Sequence, residues 1–272
     1  CTARVIATSN RRAPRGVGLV DETLVGAGPC ALRANREHSL SKSGKRSGPG
    51  RRPHAGSFTL ALVGRSQQRV KMPPVLAVLL IFLSYALGTF PSAILVARAN
   101  GIDISTVGSG NPGASNVTRA LGWRKGVWVY VLDALKAGLA TGLGLGMGFD
   151  WAGTGRPLGY VCGVAAALGH MFPATRGFKG GKGVACGSGA LIVLQPIIGI
   201  AAPIVWWLLS KMTGKAALGS ILTVGSVPIG LALTGRPAWE FGAMAGLCGL
   251  ILVKHWRNFG RLIRREEPGL RR

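Results

Sequence analysis

Apolar residues in this chain are gathered into long runs between positions 73 and 253, separated by glycine-rich and basic stretches. A run of about 20 such residues crosses a bilayer, and in lipid it must be helical because nothing else satisfies its backbone groups. The first run is 73–97, PPVLAVLLIFLSYALGTFPSAILVA; the second is 126–148, interrupted by Asp133 and Lys136; the third is 157–175. After a glycine-rich gap, 184–210 exceeds one span and contains Pro196 and Pro203, so two short or broken helices are expected there. Runs 216–233 and 237–253 complete the set. The pattern predicts an all-α, polytopic membrane helical bundle of about seven transmembrane helices.

Charge orients that bundle. With seven spans, the odd-numbered loops and the C-terminal tail carry sixteen Lys and Arg, against Arg156 and Arg236 on the other side. This positive-inside bias puts the C-terminus and the odd loops in the cytoplasm and the N-terminus outside. Merging 184–210 into one span removes most of the bias, which favours seven.

Residues 1–71 are a different text. They hold 14 Lys+Arg and 3 Asp+Glu among Gly, Pro and Ser, with no sustained period, and cannot bury a core, so a disordered basic extension is expected. The first Met is Met72, followed at once by an apolar run, so synthesis is expected to start there, with 1–71 a mis-assigned upstream stretch. A basic arm for nucleic acid or anionic lipid and an Arg-rich transit peptide are the competing readings. Residues 72–272 are then the integral membrane domain. Only 15% of the chain is charged, against about 25% in soluble domains, which argues against an ordinary soluble enzyme. The net charge of +24 suggests nucleic acid, but beyond residue 71 the basic residues track membrane topology, so no nucleic-acid partner is expected. Cys1, Cys30, Cys162, Cys186 and Cys248 form no Cys-x-x-Cys; the last three read as small buried hydrophobes. No metal and no cofactor are expected.

The unusual residues collect on the predicted cytoplasmic side. Loop 98–125 packs Gly108, Ser109, Gly110, Asn111, Gly113, Ser115, Asn116 and Arg119 into twelve positions. Glycines there allow turns that aim several backbone N–H groups at one anion, with phosphate the best fit; a plain turn between helices is the alternative. In the second loop, Lys179-Gly180-Gly181-Lys182-Gly183 lies where the next apolar run begins. A helix N-terminus beside two lysines makes a stronger anion site, while a nucleotide P-loop is excluded because Gly183 has no hydroxyl. Interfacial lysines reaching for headgroups are the competing reading. If 253–263 continues as a helix, His255, Asn258 and Arg261 recur at i, i+3 and i+6 on one face, a proton acceptor, an amide and a cation together; an interfacial His and Arg cluster that only sets topology is the competing reading, and the better one for this segment alone. Asp133 and Lys136, inside span two, can pair at i, i+3, as a functional site or a structural ion pair; His170 has the same two readings, and its place next to the Lys-Gly-Gly-Lys loop favours the site.

Together the three segments resemble the PlsY-type acyl-phosphate:glycerol-3-phosphate acyltransferases. The family pattern GSGNxGATNVxR is similar to GSGNPGASNVTR at 108–119, FKGGKGVAT to FKGGKGVAC at 178–186, and HxxNIxRLxxGTE to HWRNFGRLIRREE at 255–267. The resemblance spans 72–267. Departures are Ser105, Ser115, Cys186, Ala217 in the segment before Ser220, and Arg265-Glu266.

That resemblance implies transfer of a fatty acyl group from acyl phosphate to the sn-1 hydroxyl of glycerol 3-phosphate, giving lysophosphatidic acid and phosphate in phospholipid biosynthesis. It implies a multi-pass enzyme of the bacterial inner (plasma) membrane with its site on the cytoplasmic face, linked to a soluble phosphate acyltransferase. His255, Lys182, Asn258 and Ser109 are the expected catalytic residues, with Asn258 placing His255. Gly108, Gly110, Asn111, Asn116, Arg119, Lys179, Gly180, Gly181, Gly183, Ser220, Arg261 and Glu267 are expected to bind substrate phosphate. The His-x4-Asp route of other glycerol-phosphate acyltransferases is absent. A small multispan transporter or channel for an anionic solute is the alternative, disfavoured because the motifs gather on one face.

Overall fold

The computed structural model describes residues 73–147 and 156–270; the expectations for residues 1–71 and for a start at Met72 lie outside them. Among the described residues the fold is all helical. Four helical segments are long and apolar enough to cross a membrane, Pro74–Arg98, Trp123–Gly146, Pro157–Arg176 and Pro196–Thr213, and three shorter apolar helices accompany them.

Proline and glycine punctuate these elements. Helix α1 (Pro74–Gly88) opens on a proline whose missing N–H costs nothing at that position. It stops short of Pro91, which disfavours helical geometry at Phe90, and the chain restarts as α2 (Ser92–Arg98). The first apolar run is therefore broken, and its freed carbonyls find cations: Arg176 donates to the Thr89 oxygen and Lys136 to the Phe90 oxygen.

Loop 98–125 is not all loop. It contains α3 (Ala114–Leu121), whose buried Val117 packs with Ala93, Ala97, Ile104 and Val129. The glycine-rich text ahead of it hides this short apolar face. Next come α4 (Trp123–Gly146) and α5 (Pro157–Met171). The 184–210 run divides at Pro196 into α6 (Val184–Leu194) and α7 (Pro196–Thr213), as the sequence predicts. Helices α8 (Ala216–Ala232), α9 (Ala238–Val253) and α10 (Trp256–Ile263) complete the order. The expected continuous 253–263 helix is interrupted at Lys254-His255, and His255 caps α10.

Close packing among α1, α4, α5 and α6 rests on small residues. Ala137, Ala166, Ala167 and Ala190 are fully buried, and at Gly189 the Ala134 backbone leaves no room for a Cβ. Helix α7 is the least buried of the long segments, and space opens between α4–α6 on one side and α7–α9 on the other. At the Ala238 end of α9 a polar cluster closes the bundle. Glu240 pairs with Arg156 at 2.9 Å and accepts from the Tyr160 hydroxyl at 2.6 Å and the Gln195 amide at 3.1 Å, tying α5, the α6–α7 joint and α9.

Candidate active site

A cavity of about 1220 Å³ fills that space, with a polar basic end and an apolar arm. Ser109, Asn116, Arg119, Lys182, His255, Asn258 and Glu267 line the basic end; Leu191, Ala202, Val224, Val227, Met244 and Leu247 line the arm. The arm runs from Ala216 to Val227 along α8, about 16 Å at 1.5 Å per residue.

The first loop is shaped from within. Ser105 donates through its N–H and its hydroxyl to Asp103 Oδ1, which holds that carboxyl below the usual carboxylate range. Buried Asn116 accepts the Ser109 N–H at 3.0 Å and donates to the carbonyls of Ile104 and Val107. Its amide is thus spent on the loop, so it shapes the site instead of presenting the free phosphate donor expected of it. Gly108, at φ +60°, has no space for a Cβ beside the Asn116 oxygen.

The second loop delivers Lys182 and the start of α6. Gly183 caps that helix at φ +89°. The first-turn residues Val184 and Ala185 line the cavity, and their N–H groups have no carbonyl partner within the helix. Gly181 instead donates to the His170 carbonyl at 3.1 Å. Lys182 donates to Asn258 Oδ1 at 2.5 Å. Burial pushes its ammonium down to about 8; Glu267 pulls it up, while Arg261, Arg119 and Lys254 push it down.

The third segment organises these charges. Asn258 donates to Glu267 Oε1 at 2.9 Å, and Arg261 pairs with Glu267 Oε2 at 2.8 Å; Arg119 lies 3.8 Å from the same carboxylate. Asn258 therefore orients Lys182, and His255 is held by another group. Its Nδ1 lies 2.8 Å from the Ile251 carbonyl, an acceptor, so Nδ1 carries the proton and Nε2 keeps its lone pair. Burial, then the nearby Lys182 charge, pushes His255 down to about 4, leaving it neutral near pH 7.

Of the expected site residues, the cavity brings together Ser109, Asn111, Asn116, Arg119, Lys182, Gly183, Ser220, His255, Asn258 and Glu267. It does not bring in Gly108, Gly110, Lys179, Gly180, Gly181 or Arg261: Lys179 is exposed, Gly180 and Gly181 turn their backbone to His170, and Arg261 is engaged by Glu267. Ser220 lines the wall but is already bonded, accepting from Trp206 Nε1 and donating to the Ala216 carbonyl.

Two features go beyond the sequence reading, which expected the Asp133–Lys136 pair but not the neighbours it gains. The C-terminal segment folds back as a strap: Arg119 donates to the carbonyls of Gly269 and Pro268, and the Leu270 N–H donates to Gly214. No local pattern signals it. Asp133, His170 and Cys186, from three helices, bring a carboxylate, an imidazole and a thiol within 4.8 Å of one another. The Lys136 ammonium already supplies a positive charge there, 2.9 Å from Asp133.

Known proteins are similar to this chain in sequence and in fold. Residues 78–265 match the glycerol-3-phosphate acyltransferase family. A glycerol-3-phosphate acyltransferase of Deinococcus radiodurans is 36% identical over 188 residues, 68% of this chain and 91% of that protein. One from Myxococcus xanthus is 39% identical over 191 residues, 69% of this chain and 96% of that protein. The fold is similar to that of PlsY, an integral membrane glycerol 3-phosphate acyltransferase, in its glycerol 3-phosphate form (TM-score 0.65, 33% identity, 71% of this chain and 94% of that one). It is also similar to the lysophosphatidic acid form, with a TM-score of 0.63 and 32% identity. The chain is an acyltransferase and belongs to the glycerol-3-phosphate acyltransferase family.

Proposed function

We propose that this enzyme transfers a fatty acyl group from acyl phosphate to the sn-1 hydroxyl of glycerol 3-phosphate. The observation that carries the proposal is the single cavity in which a basic, hydrogen-bonding end continues into an apolar arm. Both substrates bring phosphate and one brings an alkyl chain, and the two ends of the cavity suit these two demands.

Lys182, Arg119 and the first-turn N–H groups of α6 hold phosphate, with Ser109 contributing its hydroxyl. The glycerol oxygen attacks the acyl carbonyl carbon, a C–O ester bond forms, and the bond from that carbon to the phosphate oxygen breaks. Lys182 and the α6 amides stabilise the oxyanion. His255 Nε2 accepts a hydrogen bond from the attacking hydroxyl. At a pKa of about 4 it orients that proton better than it keeps it, so the departing phosphate is the final acceptor. Asn258 and Glu267 position Lys182. An acyl phosphate already has a good leaving group, so no side-chain nucleophile is needed.

The same proposal places the enzyme in the inner membrane with seven spans, the four long segments and the three shorter apolar helices. The N-terminus lies outside and the active site faces the cytoplasm, from the sixteen-to-two division of basic residues. A soluble phosphate acyltransferase would supply the acyl phosphate. The test is acyl transfer by the detergent-purified protein from palmitoyl phosphate to labelled glycerol 3-phosphate, with acyl-CoA and acyl carrier protein thioester as rival donors. Lysophosphatidic acid from acyl phosphate alone is expected. Product from a thioester alone would overturn the donor assignment, and no product from folded protein would bring an anion transporter forward.

A further inference from the structure

Asp133, Lys136 and His170 have no part in the chemistry above, yet all three are buried inside membrane-spanning helices. Ionisable groups are costly there and call for a reason. The Lys136 ammonium lies 2.9 Å from Asp133 Oδ1 and 3.0 Å from His170 Nδ1, and it donates to the Phe90 carbonyl at 3.0 Å. Ser92 adds a hydroxyl bond to Asp133 at 2.9 Å. Nδ1 of His170 also lies 3.5 Å from Asp133 Oδ1, so the carboxylate and the ammonium both hold the imidazole at the same ring nitrogen. Two spans and the broken end of the first are thereby locked around one imidazole.

The other side of that imidazole faces the Lys182 loop. Gly181 donates its N–H to the His170 carbonyl at 3.1 Å, and a Cβ on Gly181 would run into His170 Nε2. A Cβ on Gly180 would strike the His170 carbonyl and Pro173. The residue next in sequence is Lys182. A small cavity beside the cluster is bounded by Pro112 of the first glycine-rich loop and by Gly181, so the cluster lies beneath both loops.

We propose that His170, fixed by Asp133 and Lys136, is a positioning residue for the Lys182 loop: its ring and its carbonyl set where Gly181 sits and hence where the Lys182 ammonium enters the cavity. This rests on the reading of Lys182 as the phosphate-holding cation. The alternative is that the cluster only staples helices together.

Reciprocal rescue separates the two. Gly181→Ala adds a methyl group where the ring stands, and the displaced loop is expected to lower kcat/KM about 100-fold. His170→Ala alone removes the ring and is expected to cost about tenfold. In the double variant the methyl group has room, and activity at least tenfold above Gly181→Ala alone is expected. A double variant no more active than Gly181→Ala would overturn the proposal, since a helix staple gives no rescue. If Gly181→Ala does not fold, hydrogen exchange on His170→Ala decides. Faster exchange confined to residues 178–186 supports positioning; no change there, or an equal rise throughout α4 and α5, overturns it. If the unaltered protein makes no lysophosphatidic acid from acyl phosphate, the functional reading fails, while the exchange result still judges whether His170 holds the loop.

Discussion

Two polar clusters sit at opposite ends of α9, and they differ in how their charges balance. Around Glu240, one carboxylate meets one guanidinium, and a tyrosine and a glutamine complete its hydrogen bonds. Around Glu267, one carboxylate serves Arg261 at 2.8 Å and Arg119 at 3.8 Å, while Lys182 reaches it through Asn258. The first cluster is matched and borders no large cavity. The second has a surplus of positive charge and opens onto about 1220 Å³. A matched buried cluster fastens helices, whereas an unmatched one beside empty space is arranged for an anion to complete.

The strongest way to break this contrast is to remove one charge from each cluster. Lys182→Met should lower kcat/KM about 100- to 1000-fold, the scale of losing one oxyanion donor, with the thermal midpoint held or raised because a buried cation has gone. Glu240→Gln should do the reverse. It leaves Arg156, about a quarter exposed, without its partner, so about 2 kcal/mol of stability and several degrees of thermal midpoint are expected to go, with kcat/KM within about twofold. Equal activity losses in the two variants would dissolve the distinction.

Glu267→Gln comes next. It keeps the shape and removes the negative charge that Arg119, Arg261 and, through Asn258, Lys182 share, so Lys182 loses its orientation and kcat/KM is expected to fall about 30-fold, roughly 2 kcal/mol. Steady-state kinetics on both substrates check it. A similar loss against each is expected, because Lys182 serves the shared end of the cavity.

These partnerships were the least legible part of the molecule. Helices lie on each apolar run of the sequence, and the expected division of 184–210 falls at Pro196, while Pro203 stays inside α7. Periodicity and proline act locally, and local signals survive reading. Phe90-Pro91 breaks the first run, but the break is tolerated only because Lys136 and Arg176, far along the chain, satisfy its carbonyls. Asn258 is recognisable as a site residue from its motif, while its bond to Lys182, 76 positions away, exists only once α6 and α10 are packed. Glu240 and Gln195 belong to no motif and lie 45 positions apart. Their meaning lies in meeting each other, which no spacing encodes.

The pH dependence sharpens the comparison further. Lys182 titrates at about 8 in the folded protein, below its ordinary value of 10.5, so its charge is present below pH 8 and lost as pH rises through it. Activity is expected to fall about tenfold per pH unit above 8. Stability moves the other way: between 8 and 10.5 the unfolded chain binds the proton that the folded one has released, so this group makes the protein more stable as pH rises. A pH–rate profile beside thermal melting at the same pH values should show opposite trends. His255, at about 4, stays neutral and adds no limb above pH 5.

The smallest effect is expected at the strap. The Arg119 guanidinium is 11% exposed and donates to the carbonyls of Gly269 and Pro268 while Glu267 holds it from beside the cavity. Ending the chain after Glu267 removes both carbonyl acceptors and the Leu270 bond to Gly214, but leaves the carboxylate in place. Water replaces the lost acceptors, so the guanidinium keeps its charge and loses only part of its fixed orientation. The KM for glycerol 3-phosphate is expected to rise about threefold with kcat unchanged, a loss of roughly 0.7 kcal/mol in ground-state and transition-state binding alike. A fall in kcat instead would mean that Arg119 acts on the reacting atoms, and that the strap belongs to the catalytic end of the cavity as much as Glu267 does.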